Sequence, residues 1–82
     1  MSALSLRIRE LIAESVTDCP VAPEEMTPDT SLHVDLGCDS LDLLEVVMIL
    51  EETFSLYIDD EMVASFKTVG DIVAHVEKRV RA

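Results

Sequence analysis

Five side chains in this sequence have the chemistry of a nucleophile or its partner: Ser40, His33, His75, Cys19 and Cys38. Hydroxyl, imidazole and carboxylate are the parts of a Ser–His–Asp relay, and Ser40, His33 and an aspartate supply them arithmetically. The surroundings argue against a relay. No G-x-S-x-G elbow contains Ser40, no strand pattern leads into it, and the chain is too short to close a cleft around a substrate. The chain therefore reads as a non-enzyme. His75 falls between Ile72 and Val76 in a helical pattern and reads as a partly exposed helix residue. No resident metal is expected either. Asp29 to Gly37 lacks the D-x-[DN]-x-[DN]-G loop, and the two cysteines and two histidines have no zinc spacing.

Ser40 is left as the residue of interest because of where it stands. It follows Gly37 and a long polar connection and opens a strongly apolar helical pattern. The ordinary role of a serine at such a place is to cap the helix. A second role is open to it. A helix N-terminus presents unpaired N–H groups and a partial positive charge, which together favour a covalently attached phosphate ester.

Four elements must position that residue. Leu4, Ile8, Leu11, Ile12 and Val16 recur at helical spacing and predict a first helix from Ser2 or Ala3 to about Val16, with Ser2 as N-cap. Pro20 and Pro23 stop it. A connection from about Thr17 to Asp39 follows, holding all three prolines. Leu32, Val34 and Leu36 are expected to tuck beneath it, and Thr30 or Ser31 to cap a short turn. The second helix is predicted over Ser40 to Phe54. Its core stripe is Leu43, Val46, Val47, Leu50 and Phe54. The opposite face carries Leu41, Glu45, Met48 and Glu52, flanked by Asp42, Leu44 and Glu51. Apolar residues among carboxylates suit either a partner-binding surface or packing beneath the long connection, and spacing alone does not separate the two. A short third helix is predicted from Asp60 to about Ser65, with Asp59 or Asp60 as cap. The fourth runs from Thr68 to about Arg79, opened by a capping-box-like Thr68–Asp71 pair, with Val69, Ile72, Val73, Val76 and Val80 as its stripe. The fold class is all-α: a four-helix bundle of three longer helices and one short one, with a long loop between the first two.

Composition sets the outer limits. Eighty-two residues are expected to form one domain spanning 1–82. A hydrophobic fraction of 49% supports a folded core in spite of the acidity. With only 4% aromatics, that core must be aliphatic. The net charge is −11, and of the 17 acids all but Asp71 and Glu77 lie between Glu10 and Glu61. No Lys or Arg falls between Arg9 and Lys67. Such a surface repels phosphate backbones and anionic lipid, so neither nucleic acid nor a membrane is expected as partner. It suits steering toward proteins with basic patches. No apolar run approaches the ~20 residues of a membrane span, and Arg7, Arg9 and Glu10 interrupt the opening run, which does not read as a signal peptide. Two cysteines without a CxxC pair read as reduced thiols of a cytoplasmic protein, with a single disulfide as the alternative.

The run Asp35-Leu36-Gly37-Cys38-Asp39-Ser40-Leu41-Asp42-Leu43-Leu44-Glu45 resembles the D-L-G-x-D-S-L-D-x-x-E signature of acyl carrier proteins. Thr27 to Leu32 resembles the loop before that signature, Val46 to Phe54 the rest of the family's second helix, and Thr68 to Ile72 the start of its last. The resemblance implies that Ser40 carries 4′-phosphopantetheine through a phosphodiester, installed by a phosphopantetheinyl transferase from coenzyme A, with Asp39 assisting. It implies a monomeric shuttle whose thiol holds an acyl group as a thioester and delivers it to fatty-acid, polyketide or related biosynthetic enzymes. It assigns partner recognition to Leu41, Asp42, Glu45, Met48, Glu51 and Glu52, extended by Asp60 and Glu61. A peptidyl or aminoacyl carrier, or an unmodified acidic helical adaptor, is the alternative. The sequence departs from the family at His33, where an aliphatic residue is common, and at Val34, where an acid is common. It also lacks the proline often found before the third helix.

Overall fold

The apolar periodicities become helices close to where they begin and end in the sequence. The computed structural model describes residues 3–81. It contains α1 (Ala3–Ser15), α2 (Ser40–Phe54), α3 (Asp60–Ser65) and α4 (Val69–Arg81), with one 3₁₀ turn at Pro23–Glu25 in the α1–α2 connection. The fold is an all-α four-helix bundle, and no strand occurs among the described residues beyond an isolated antiparallel bridge between Ser31 and Thr68. The proposed cap at Ser2 lies outside the described residues.

Local chemistry accounts for most boundaries. After α1, Asp18 takes a left-handed backbone (φ 53°) and turns the chain before Pro20. Ser55 does the same after α2 (φ 52°), its N–H donating to the Glu51 carbonyl. Asp59 caps α3 by accepting from the Met62 N–H at 2.9 Å. The Thr68–Asp71 box forms in both directions, with each side chain 3.1 Å from the other's backbone nitrogen. Hydrogen bonds from the Lys67 and Thr68 N–H groups hold the Asp71 carboxyl below its ordinary value.

The core is aliphatic. Ile8, Leu11, Ile12 and Val16 of the α1 segment meet Val46, Val47 and Leu50 of α2 and Val69, Ile72 and Val76 of α4. Each such side chain contributes ~1.5–3 kcal/mol by leaving water. The connections supply Met26, Leu32, Leu36, Cys38, Ile58 and Phe66, all buried.

Three residues depart from expectation. Val34 is 85% exposed, where it was expected to tuck inward with Leu32 and Leu36. The segment is a helical turn, with Asp35 and Leu36 N–H groups both donating to the Ser31 carbonyl. Residues 32 and 36 therefore share the inner face and residue 34 faces out. Ser31 caps this turn, accepting from the Val34 N–H at 3.0 Å. Val80 is also exposed, because the last turn of α4, with Lys78, Arg79 and Arg81, lies outside the core. Arg9, a charged residue within the apolar pattern of α1, is buried. Its guanidinium donates to the carbonyls of Pro23 (2.7 Å) and Met26 (3.5 Å) and to Ser5 in its own helix (3.3 Å), fastening the 3₁₀ turn to α1.

Candidate functional site

Ser40 is exposed and is the first residue of α2, not its cap. The cap is Asp39, whose Oδ1 accepts from the Asp42 N–H at 2.8 Å, while Asp42 Oδ2 accepts from the Asp39 N–H at 3.4 Å. The plain-cap reading of Ser40 is thus corrected. Aspartate one position earlier takes the role because its carboxylate reaches the third N–H of the helix. The Ser40 hydroxyl makes no hydrogen bond to any described residue, so its oxygen is free to react. Positive φ at Gly37 (67°) lets the chain turn into the helix there, with nothing within 4 Å of where a Cβ would stand.

A pocket of about 390 Å³ opens beside Ser40. Leu43, Leu44, Val63, Ala64 and Phe66 give it apolar lining, and His33, Asp60 and Lys67 line it as well. A larger cavity of about 420 Å³ between α1, the Met26–Pro28 segment and α4 does not include Ser40. Cys38 is buried two residues away from the serine, and its Sγ–H donates to the Asp39 carbonyl at 3.7 Å. Burial, then the negative charges of Asp42 and Asp39 and finally Cys19, push this thiol up to about 11. At neutral pH it is a protonated core residue and not a rival nucleophile to Ser40.

Residues 7–76 match the family described as "Phosphopantetheine attachment site". An acyl carrier protein of Wolinella succinogenes is 43% identical over 70 residues, covering 85% of this chain and 88% of the relative. An acyl carrier protein of Exiguobacterium sibiricum is 41% identical over 73 residues, covering 89% of each. The chain belongs to the acyl carrier protein family. Its cofactor is 4′-phosphopantetheine, and its work is to carry acyl groups to biosynthetic enzymes. The described residues fit that group: Ser40 offers an exposed, unengaged hydroxyl at a helix N-terminus, a place that suits a phosphate, and a largely apolar pocket adjoins it.

The carrier's suspected recognition residues divide into two sets. Leu41 (72% exposed), Glu45, Met48 (58%) and Glu52 are open to solvent, and Leu44 is also exposed. The long connection does not cover them, so they do not pack beneath it. Glu14 of α1 joins Glu45, Met48 and Glu52 around a shallow cleft. Asp60 and Glu61 are exposed at the head of α3. Asp42 and Glu51 are only half-exposed and are engaged within the fold. Asp42 completes the capping box and accepts from Thr17 Oγ1 at 3.4 Å; Glu51 Oε2 accepts from the Ile58 N–H at 2.9 Å, holding the chain between α2 and α3. The bonds to Thr17 and Ile58 were not legible in the sequence, because both partners lie in other segments. Among the described residues no group of His, Cys, Asp and Glu side chains is placed to hold a metal ion, and no helix is long and apolar enough to cross a membrane.

Proposed function

We propose that Ser40 is the attachment residue and that α2 presents the docking face for the enzymes that load and unload the arm. The supporting observation is the exposed, unengaged Ser40 hydroxyl in the lining of a largely apolar pocket. Asp39 and Asp42 spend their carboxylates on the capping box, which keeps the helix end intact while leaving the serine open. In the loading step Ser40 Oγ attacks the pantetheine-side phosphorus of coenzyme A. The new O–P bond forms as the pyrophosphate bond breaks, 3′,5′-adenosine diphosphate leaves, and the hydroxyl proton passes to a base of the transferase. Attached there, phosphopantetheine supplies the thiol that holds an acyl group as a thioester. Leu43, Leu44, Val63, Ala64 and Phe66 offer an acyl chain apolar shelter, and an aliphatic wall of this kind repacks at modest cost.

Leu41, Glu45, Met48 and Glu52 form the open face of α2, with Asp60 and Glu61 extending its charge. Carboxylates steer a basic enzyme toward the face, and Leu41 and Met48 supply the apolar contact once it arrives. Asp42 and Glu51 add charge to this field from fixed positions. The proposal takes the carrier as a cytoplasmic monomer that itself catalyses nothing; its acidity favours protein over nucleic acid, and both cysteines are free thiols.

Intact mass tests the attachment. Incubation with coenzyme A and a phosphopantetheinyl transferase is expected to add one phosphopantetheine, and Ser40→Ala to abolish the addition. An unmodified wild type beside a modified control carrier would overturn the assignment. For the docking face, Glu45→Lys with Glu52→Lys is expected to slow loading by roughly 10-fold at low salt, with the difference shrinking as salt rises and helical content unchanged. Equal loading rates would remove α2 as the docking surface.

A further inference from the structure

Arg9 leaves part of its guanidinium unused. The side chain is only 4% exposed, yet it forms no ion pair among the described residues. Three carbonyls take three of its hydrogens: Nε donates to Ser5 at 3.3 Å, and Nη1 to Pro23 at 2.7 Å and Met26 at 3.5 Å. A guanidinium has five N–H groups, so two remain on Nη2. Nη2 makes no hydrogen bond with a described residue. It is not sealed in the core either, since His75 Nε2 is the only enclosed, unpartnered side-chain nitrogen among those residues. The open space that Arg9 lines is the cavity of about 420 Å³ between α1, the Met26–Pro28 segment and α4. That volume falls within the ~300–1,000 Å³ of small-ligand sites. Met26, Pro28, Val69, Val73 and Ala74 give it a mostly apolar lining.

We infer that this cavity is a binding site for a medium-chain monocarboxylate, its carboxylate on Arg9 Nη2 and its hydrocarbon tail along Pro28, Val73 and Ala74. Each half of the ligand answers a feature of the wall. A buried cation is costly without an opposite charge, and a carboxylate gives Nη2 a charge-assisted hydrogen bond. An aliphatic tail leaves water against aliphatic side chains. Glu77 is the second charged group of the lining. Its Oε2 lies 3.9 Å from Arg81 Nη2, which offsets part of its repulsion. A second carboxylate on the ligand would meet Glu77, so the site favours a single negative charge. The same chemistry separates a free acid from a carried acyl group, because a thioester has no charge to offer Arg9. The cavity shares no lining residue with the Ser40 pocket, so binding there is independent of what Ser40 carries.

Proton–nitrogen NMR of the full chain, titrated with sodium hexanoate, tests this. The amide signals of Thr27, Val73 and Ala74 are expected to move together and to saturate at roughly 1–10 mM, the affinity that so small a ligand gains at ordinary efficiency per atom. Hexan-1-ol supplies the tail without the charge and is expected to bind about tenfold more weakly, the loss of one charge-assisted hydrogen bond. Sodium acetate supplies the charge without the tail and is expected to leave the three signals in place. Ala74→Phe fills the cavity from an exposed position of α4 and is expected to abolish the hexanoate response with the circular dichroism spectrum unchanged. Arg9→Met keeps the stem, removes the charge and is expected to bind the acid and the alcohol alike; if it fails to fold, Ala74→Phe and the wild-type comparison with hexan-1-ol decide the matter. Equal wild-type affinity for hexanoate and hexan-1-ol would leave only an apolar groove and overturn the inference. A response without saturation would show that water alone serves Nη2, and one that survives Ala74→Phe would lie elsewhere; either overturns it. So would hexanoate shifts confined to Leu43, Leu44 and Val63, which would place the acid in the Ser40 pocket.

Discussion

Gly70→Ala separates helix propensity from tertiary contact, because the two call for opposite signs. Gly70 is the second residue of α4, and alanine is the better helix former by up to ~1 kcal/mol. Propensity alone therefore raises stability. The structure calls for the reverse. A Cβ at Gly70 would stand 2.6 Å from the Pro28 carbonyl oxygen, 2.9 Å from its Cα and 3.0 Å from its Cβ. None of these atoms belongs to a side chain that can rotate away. The Pro28 segment is also stitched to the first turn of α4 by Gly70 N–H to Pro28 O (3.1 Å) and Val69 N–H to Thr30 O (2.9 Å). Relief of the overlap must stretch those bonds. Overpacking of this kind costs ~1–3 kcal/mol, and weakening one of the bonds adds about 1. After the propensity gain, a net loss of about 1–3 kcal/mol is expected. For a domain of this size that lowers the melting temperature by roughly 5–25 °C. Thermal melts by circular dichroism at fixed salt read the change, and amide hydrogen exchange locates it. Exchange at Val69 is expected to accelerate in Gly70→Ala and to stay unchanged in Gly37→Ala, where the added Cβ meets nothing and the strain is confined to a positive φ. An unchanged or raised melting temperature in Gly70→Ala would refute the close approach of α4 to the long connection.

Two further substitutions probe the same framework. Arg9→Lys retains the charge and loses the planar fork that reaches Pro23 and Met26, and is expected to cost ~1–3 kcal/mol in denaturant unfolding; equal stability would show that charge alone suffices there. His75 is half-buried, with Nε2 enclosed and without a hydrogen-bond partner among the described residues, and its ring centroid is 5.8 Å from that of Phe66. Burial, joined by the positive charges of Arg79 and Lys78 and opposed by Asp59, holds His75 below its ordinary 6.5. The unfolded chain therefore takes up this proton first. The stability His75 contributes is complete above about pH 6.5 and declines as pH falls from there through the lowered folded value. His75→Phe is expected to flatten the melting temperature between about pH 7 and 5 relative to wild type, and parallel profiles would refute the burial argument.

The reading of Ser40 shows how far a local signal carries. Eleven consecutive residues pointed to the attachment chemistry, and the helix they open begins where the pattern placed it. The detail that Asp39 caps and Ser40 does not was less accessible, since serine and aspartate are both good caps and only backbone geometry separates them. The face of Leu41, Glu45, Met48 and Glu52 was legible as a face but not as exposed, because periodicity says which residues share a side and not what lies against it. Val34 failed for a related reason. Leu32, Val34 and Leu36 alternate as in a strand, but the segment folds as a helical turn.

By itself the sequence determined the four helices, the Thr68 cap, a cap at Asp59 or Asp60, the aliphatic core and the acidic field around Ser40. These follow from spacing and side-chain chemistry within a turn or two of each residue. The tertiary structure alone decided the course of the long connection. Arg9 holding Pro23, Pro28 against Gly70, Leu32 bonded to Lys67 and His33 gripping Cys38 bring together side chains and backbone that no local rule pairs. Most of these bonds end on backbone atoms, which look alike in every sequence, so their partners emerge only when the helices have packed.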